Sequence, residues 1–355
     1  MNEIKIQSRL YDYSVEFIQG FAQGMSGLGA KVAYVIDRNV YELHHHRFAT
    51  LQQEHIYYIT PKEQYKNMDT VMELIGYWKE IGLQKDWNVV CIGGGITQDV
   101  TATASYLYLR NINWYFFPST LLAMCDSCIG GKSAINLGEY KNQIGVFYPP
   151  KRVFIDQGFL RTLPRADWIN GWGELLKFSL TQDRLFYEEL KEEKEYILCP
   201  NIEQYIGRGL EVKRNIIEQD EFESDLRRIL NYGHTFGHAL EAYTYNKIPH
   251  GTAVMWGIDV VNYIAWKKGL LSKELYLDVK SLIKTSFLNE EIVVDNPKQI
   301  YEIIKTDKKV KSNVLNFALL DEEKGLLVVP ISLDDELEKL FLRYIEDTTN
   351  YYLNQ

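Results

Sequence analysis

Over roughly its first 160 residues the chain alternates short β-branched or aromatic runs with helical stretches, and this alternation most constrains its fold. Lys31–Asp37, His55–Ile59, Asn88–Ile92, Trp114–Phe117 and Val153–Asp156 read as buried strands, and Met68–Ile81 and Asp99–Leu109 between them have helical periodicity. Strands separated by helices imply a parallel sheet covered on both faces, because each crossover must pack back onto it. From Leu160 the texture changes: Asp167–Leu180, Asp183–Glu195, Ile202–Glu218, Leu226–Tyr243, Thr252–Lys268 and Ser272–Ser286 read as helices, and strand signals are scarce. The expectation is an α/β parallel-sheet domain over 1–160, followed by a mainly α-helical domain over 161–355.

A chain of 355 residues with 46% hydrophobic and 25% charged residues has the composition of a soluble protein with room for two cores. Its formal charge of −9, with no Lys/Arg-rich run, argues against a nucleic-acid partner. The N-terminus carries charges where a signal peptide needs an apolar core, and no apolar run approaches the ~20 residues of a membrane span, so a cytoplasmic location is expected. Four cysteines give no disulfide framework; Cys125-Asp-Ser-Cys128 admits redox chemistry or half a zinc site, but no second CxxC completes the latter. His44-His45-His46 and the mixed run Glu188–Glu195 read as solvated faces.

Three of the seven histidines, His234, His238 and His250, fall within seventeen residues. On a helix His234 and His238 share a face, with His250 one short connection further on. Glu174, with Lys177 three residues on, is the best upstream carboxylate, and two His plus one Glu with an open position is a common catalytic zinc shell. The competing readings are a buried hydrogen-bonded histidine pair and a surface accident.

Gly93-Gly94-Gly95 ends a strand and opens a helix, as a pyrophosphate site requires, although Gln98 breaks the GxGxxG spacing and a tight turn is the alternative. Asp126, Lys132, Lys141 and Asn142 are polar residues embedded in apolar sequence. Buried lysines need charged partners, so these residues suggest an anion pocket, or else a structural pair such as Asp126 with Lys132.

Taken in order, the glycine triplet, Pro118–Asn136, Lys141-Asn142, Arg161–Pro164, Glu174-Leu-Leu-Lys177, Arg227-x-x-x-Asn231-x-x-His234-Thr-Phe-Gly-His238 and His250-Gly251 resemble the sugar phosphate cyclases, and among them the 3-dehydroquinate synthase branch. The resemblance runs from about Asp37 to Lys309. It implies a Rossmann-like NAD-binding domain, a metal-binding helical domain, a homodimer, and a phosphate-eliminating carbon–oxygen lyase of the shikimate pathway. The implied reaction converts 3-deoxy-D-arabino-heptulosonate 7-phosphate into 3-dehydroquinate and phosphate with NAD and Zn2+ or Co2+.

By that resemblance the metal ligands are Glu174, His234 and His250, leaving His238 near the substrate. Asp126, Lys132, Asn142, Lys177 and His238 position substrate and move protons; Lys213, Arg227 and Asn231 handle a carboxylate; Arg110 and Lys309 serve the anionic end. Asp37, Glu63, Lys66, Gly94, Gly95, Asp99, Ser119, Thr120, Lys141 and Thr162 line the cofactor. Gln98, Asn111, Cys125, Cys128, Trp172-Gly173 and Thr252 depart from the family's usual residues and mark a divergent member. Competing functions are a cyclase of sedoheptulose 7-phosphate or glucose 6-phosphate, a metal-dependent polyol dehydrogenase, and a binding paralogue that keeps the fold. Arg227 weighs against the first, since a guanidinium suited to a carboxylate has no partner in a neutral hydroxymethyl group.

Overall fold

The computed structural model describes residues 3–182, 184–245, 247–287, 292–306 and 310–353. By compactness the chain forms two units: Met1–Trp168 with Leu198–Phe222, and Ile169–Ile197 with Glu223–Gln355. Where periodicity suggested one boundary near 160, the chain thus leaves the first unit, returns to it and leaves again. The returning segment carries the helix Ile202–Ile217, whose Lys213 is ion-paired to Asp126 of the same unit.

The first unit is built on a seven-stranded sheet of order β1-β2-β9-β6-β5-β3-β4. Its strands are β1 (Glu3–Ile6), β2 (Tyr13–Phe17), β3 (Val32–Asp37), β4 (Ile56–Ile59), β5 (Asn88–Gly93), β6 (Trp114–Pro118) and β9 (Arg152–Ile155). All pairings are parallel except β1 with β2. The five strands read from sequence are present, and the fully buried Val89-Val90-Cys91-Ile92 in β5 shows why they read as apolar runs: the strand is covered on both faces. β1 and β2 escaped the reading because β1 is short and alternates exposed Glu3 and Lys5 with buried Ile4 and Ile6. The helices Met68–Glu80 and Gly95–Leu107 follow β4 and β5. An antiparallel hairpin, β7 (Lys132–Leu137) and β8 (Tyr140–Phe147), interrupts the alternation between β6 and β9.

The second unit is mainly helical, with helices Arg184–Glu192, His234–Tyr243, His250–Lys267, Lys273–Leu282, Pro297–Lys305 and Asp335–Leu353, and most of Arg165–Gln182. Two expectations are corrected. The antiparallel hairpin β10 (Val314–Asp321) and β11 (Gly325–Ser332) supplies strands where none was read, its two eight-residue arms turning at Glu322–Lys324. The stretch Leu226–Tyr243 is not one helix: a 3-10 turn, Leu226–Asn231, ends before Gly233, whose φ of +75° restarts the chain as the helix His234–Tyr243. Among the described residues no helix is long and apolar enough to cross a membrane.

Candidate functional site

In the second unit, three helices bring a carboxylate and three imidazoles together. Glu174 lies within Arg165–Gln182, while His234 and His250 each begin a helix. A Cβ on Gly173 would stand 2.7 Å from Gly251 Cα, so only glycine lets these backbones approach. Asn170 Oδ1 accepts from the Gly251 amide and locks the crossing. The contact sets Glu174, the next residue after Gly173, against His250. Trp172, the other departure here, is buried and donates its indole N–H to Tyr196 O at 2.6 Å, so the pair Trp172-Gly173 serves packing.

Glu174 Oε1 lies 3.3 Å from His250 Nε2 and 3.6 Å from His234 Nε2. One nitrogen from each of His234, His238 and His250 falls within 4.8 Å of the others. The Glu174 side chain is 1% exposed and that of Lys177, in contact with Oε2, is 3% exposed. Burial, then the nearby Lys177 charge, holds His234 well below its ordinary pKa, so the ring is neutral. Its Nδ1 must donate to the Tyr232 carbonyl at 3.0 Å, because a carbonyl only accepts. Nε2 therefore directs a bare lone pair toward a carboxylate oxygen. Two acceptors facing each other across this gap repel unless a cation lies between them, and the N and O donors suit zinc or cobalt. The residues fit a divalent metal.

His250 differs. Burial alone would lower it, but the carboxylates of Glu174 and Glu241 outweigh that and raise it to about 10 in the metal-free protein. His238 is 51% exposed, with Nε2 4.0 Å from Glu241 Oε2. Arg227 is buried in the turn before this helix, and Asn231 Nδ2 donates to Glu223 Oε1 at 2.9 Å. Glu223 and Glu241 were missed as site residues. Glu241 had a usable signal, since its spacing of three and seven from His238 and His234 puts all three on one helical face; Glu223 had none.

In the first unit Glu63 and Asp99, two of the residues expected at the cofactor, gather with Asn142 around Lys66. Its Nζ donates to Asp99 Oδ2 at 3.1 Å and to Asn142 Oδ1 at 2.7 Å, with Glu63 Oε1 3.7 Å away. Asn136 joins Glu63 at 2.8 Å and accepts from the Asn142 amide at 2.9 Å, which holds Asn142 at a left-handed φ of +54°. Burial raises the Asp99 carboxyl to about 6 against the pull of Lys66. Gly94 caps the helix Gly95–Leu107, with Thr120 packed against it and no atom within 4 Å of a Cβ on Gly95. Ser119 is buried, its amide bonded to Gly93 O at 2.9 Å. Asp37 caps the helix Arg38–His44 through Oδ1, which accepts from the Asn39 and Val40 amides. Thr162 Oγ1 is 2.7 Å from His44 Nε2.

Several expectations are corrected here. Asp126 pairs with the buried Lys213, where the sequence offered Lys132 as a partner; Lys132 and Lys141 are exposed on the β7–β8 hairpin rather than buried. His45 and His46 are exposed as read, but His44 is buried against Thr162 and the Phe159 ring. Lys309 lies outside the described residues.

The departures find structural places. Gln98 is buried and exchanges hydrogen bonds with Ser127, at 2.7 Å to its carbonyl and 2.6 Å from its hydroxyl, clasping the turn that carries Asp126. Asn111 has φ +67° and follows exposed Arg110 at +55°, in a left-handed run whose carbonyls Lys85 collects. Asparagine is the side chain that best replaces glycine in that conformation. All four cysteines are buried, and burial pushes the Cys128 thiol up to about 12, which keeps that thiol protonated at neutral pH.

Comparison with known proteins shows the family. Residues 56–170 match the family described as 3-dehydroquinate synthase N-terminal, and residues 171–310 the one described as 3-dehydroquinate synthase C-terminal. The 3-dehydroquinate synthase of Prochlorococcus marinus (strain MIT 9312) is 36% identical over 298 residues, 82% of this chain and 81% of that protein. The Campylobacter concisus enzyme of the same name is 32% identical over 318 residues, covering 88% and 92%. A solved 2-deoxy-scyllo-inosose synthase, complexed with carbaglucose-6-phosphate, NAD+ and Co2+, shares the fold with a TM-score of 0.86 at 23% identity, covering 98% of this chain and all of that one. The chain belongs to the 3-dehydroquinate synthase family.

Proposed function

We propose that the chain is a 3-dehydroquinate synthase, a lyase that eliminates phosphate from 3-deoxy-D-arabino-heptulosonate 7-phosphate and closes the carbocycle of 3-dehydroquinate, as in the shikimate pathway. The observation that carries this reading is the Glu174–imidazole cluster, with the buried Arg227 in the turn that precedes the His234 helix, in a chain 36% identical to a synthase of that name. Glu174, His234 and His250 hold the metal, zinc or cobalt by donor type, and the Lys66, Asp99 and Gly94-Gly95 group lines the nicotinamide cofactor. When bound, NAD accepts and returns a hydride and the metal acts as a Lewis acid toward the hydroxyl being oxidised.

The remaining work falls to side chains of this protein. Arg227 offers a fork of N–H donors to the substrate carboxylate, with Asn231 and Lys213 as further partners. Lys177 keeps the Glu174 carboxylate oriented through Oε2, which leaves Oε1 toward the imidazoles. His238, half-exposed and beside Glu241, is suited to carry a proton at Nε2. Arg110 and Lys309 serve the phosphate, and Asp126, Lys132 and Asn142 orient the sugar. Homodimeric assembly and a cytoplasmic location belong to the same reading.

Phosphate release by metal-loaded protein with NAD, followed together with NADH absorbance, tests it. Release from 3-deoxy-D-arabino-heptulosonate 7-phosphate without accumulating NADH is expected, because the hydride is returned in each turnover. Release only from sedoheptulose 7-phosphate or glucose 6-phosphate would reassign the chain to another sugar phosphate cyclase. NADH accumulating with a simple polyol would mark a dehydrogenase.

A further inference from the structure

The two histidines that begin their helices have unlike supports. His234 donates its Nδ1 hydrogen to a neutral backbone carbonyl, that of Tyr232, whose hydroxyl is in turn held by Asn262 Oδ1. His250 Nδ1 instead lies 3.3 Å from Glu241 Oε2, while its Nε2 faces Glu174 Oε1 at the same distance. Glu241 stands in the last turn of the His234–Tyr243 helix, its side chain 14% exposed. An imidazole binds a metal through one nitrogen only if its proton sits on the other. A carboxylate accepting that proton fixes the tautomer and the ring plane and strengthens the ligating lone pair.

We infer that Glu241 is the positioning residue of the metal centre: it orients His250 and sets that ring apart as a stronger donor than His234, which has only a carbonyl behind it. The inference rests on the metal reading above. His238 is the competing partner, but its Nε2 is 4.0 Å from the same oxygen, beyond hydrogen-bond reach, against 3.3 Å for His250.

The test measures zinc affinity by competition with a chromophoric chelator, the visible bands of the cobalt form, and the thermal midpoint of the metal-free protein. Glu241→Gln keeps the shape and an acceptor oxygen but removes the charge. It is expected to weaken zinc by roughly 10–100-fold and shift the cobalt bands, while the metal-free protein still unfolds cooperatively, its midpoint lowered by no more than the lost His250 ion pair accounts for. The same loss is expected when the substitution is made on top of His238→Ala. Wild-type affinity and an unshifted spectrum in Glu241→Gln overturn the inference alone. So does a loss that disappears in the His238→Ala background, which routes Glu241 through the other ring, and so does a lowered midpoint with zinc affinity intact. A wild-type protein that takes up neither zinc nor cobalt removes the metal reading and this inference with it.

Discussion

The histidine cluster of the second unit and the Lys66 network of the first solve opposite problems. Around Glu174 the charges are buried and the acceptors face one another, so the arrangement is held by backbone: a Gly173–Gly251 crossing and helix starts at His234 and His250. Around Lys66 the polar atoms satisfy each other, with Asp99, Asn142 and Glu63 disposed about one ammonium, beside an exposed hairpin. The first region sets the neutral His234 nitrogen against a carboxylate oxygen, a facing that a divalent cation would relieve; the second pairs its polar atoms with one another and must exchange those contacts for a ligand. Substitutions in the former should therefore act on metal binding and chemistry, and those in the latter on stability and its pH dependence.

The largest effect is expected from Glu174→Gln. It removes the carboxylate charge, and the one oxygen that remains can face either the Nε2 atoms or the buried Lys177 but not both, so zinc content should fall away, phosphate release should drop by roughly a thousand-fold or more, and the metal-free fold should lose about 3–5 kcal/mol. His250→Ala strands no buried ammonium and should lose metal and activity while the fold survives. Metal analysis, phosphate assay and urea unfolding separate the two; a metal-replete, active His250→Ala protein would reject the assignment of the cluster.

Lys213→Ala comes next, and extends the comparison to a first-unit ion pair outside the Lys66 network. Lys213 also donates to the Asp126 carbonyl at 2.7 Å, so removing it leaves a half-enclosed carboxylate and carbonyl without that donor. A loss of about 3 kcal/mol is expected in urea unfolding, largely recovered in the double variant Asp126→Asn, Lys213→Met. Equal stability of Lys213→Ala and wild type would mean that water already serves Asp126.

Arg227→Ala should raise KM for the carboxylated substrate by the equivalent of about 2–4 kcal/mol, the range of a charge-assisted contact, while zinc content stays at the wild-type level. An unchanged KM would place the carboxylate elsewhere and reopen the reading as a cyclase of a neutral sugar.

These residues also show what the sequence made legible. The parallel strands were readable because a strand covered on both faces is an unbroken apolar run, and the cluster because Glu174, His234 and His250 sit in motifs of fixed spacing. The second-unit hairpin was not readable, since Val314–Asp321 and Gly325–Ser332 carry apolar residues on both faces and resemble helix or loop without their pairing. The partners of charged groups were the least visible. Lys132 is near Asp126 in sequence, yet Lys213 reaches it from a helix that returns to the first unit after a detour. Glu241 has no role legible in the sequence, because only the turn that brings His250 back gives it one.

The smallest effect separates the two regions most cleanly. Burial raises the Asp99 carboxyl to about 6, so between the ordinary carboxylate range and pH 6 the folded protein binds a proton that the unfolded chain has released. Unfolding free energy therefore falls as pH rises through that window, and above it the whole cost stands. Asp99→Asn resembles the protonated form at every pH. In the absence of NAD it should be more stable than wild type at pH 8 by up to about 2 kcal/mol, a shift of a few degrees in thermal midpoint, and the two proteins should converge below about pH 4. A variant less stable than wild type at pH 8 would mean that the bond to Lys66 outweighs burial. The network would then resemble the Glu174–Lys177 pair, tuned for charge, and the contrast between the two units would fail at its most quantitative point.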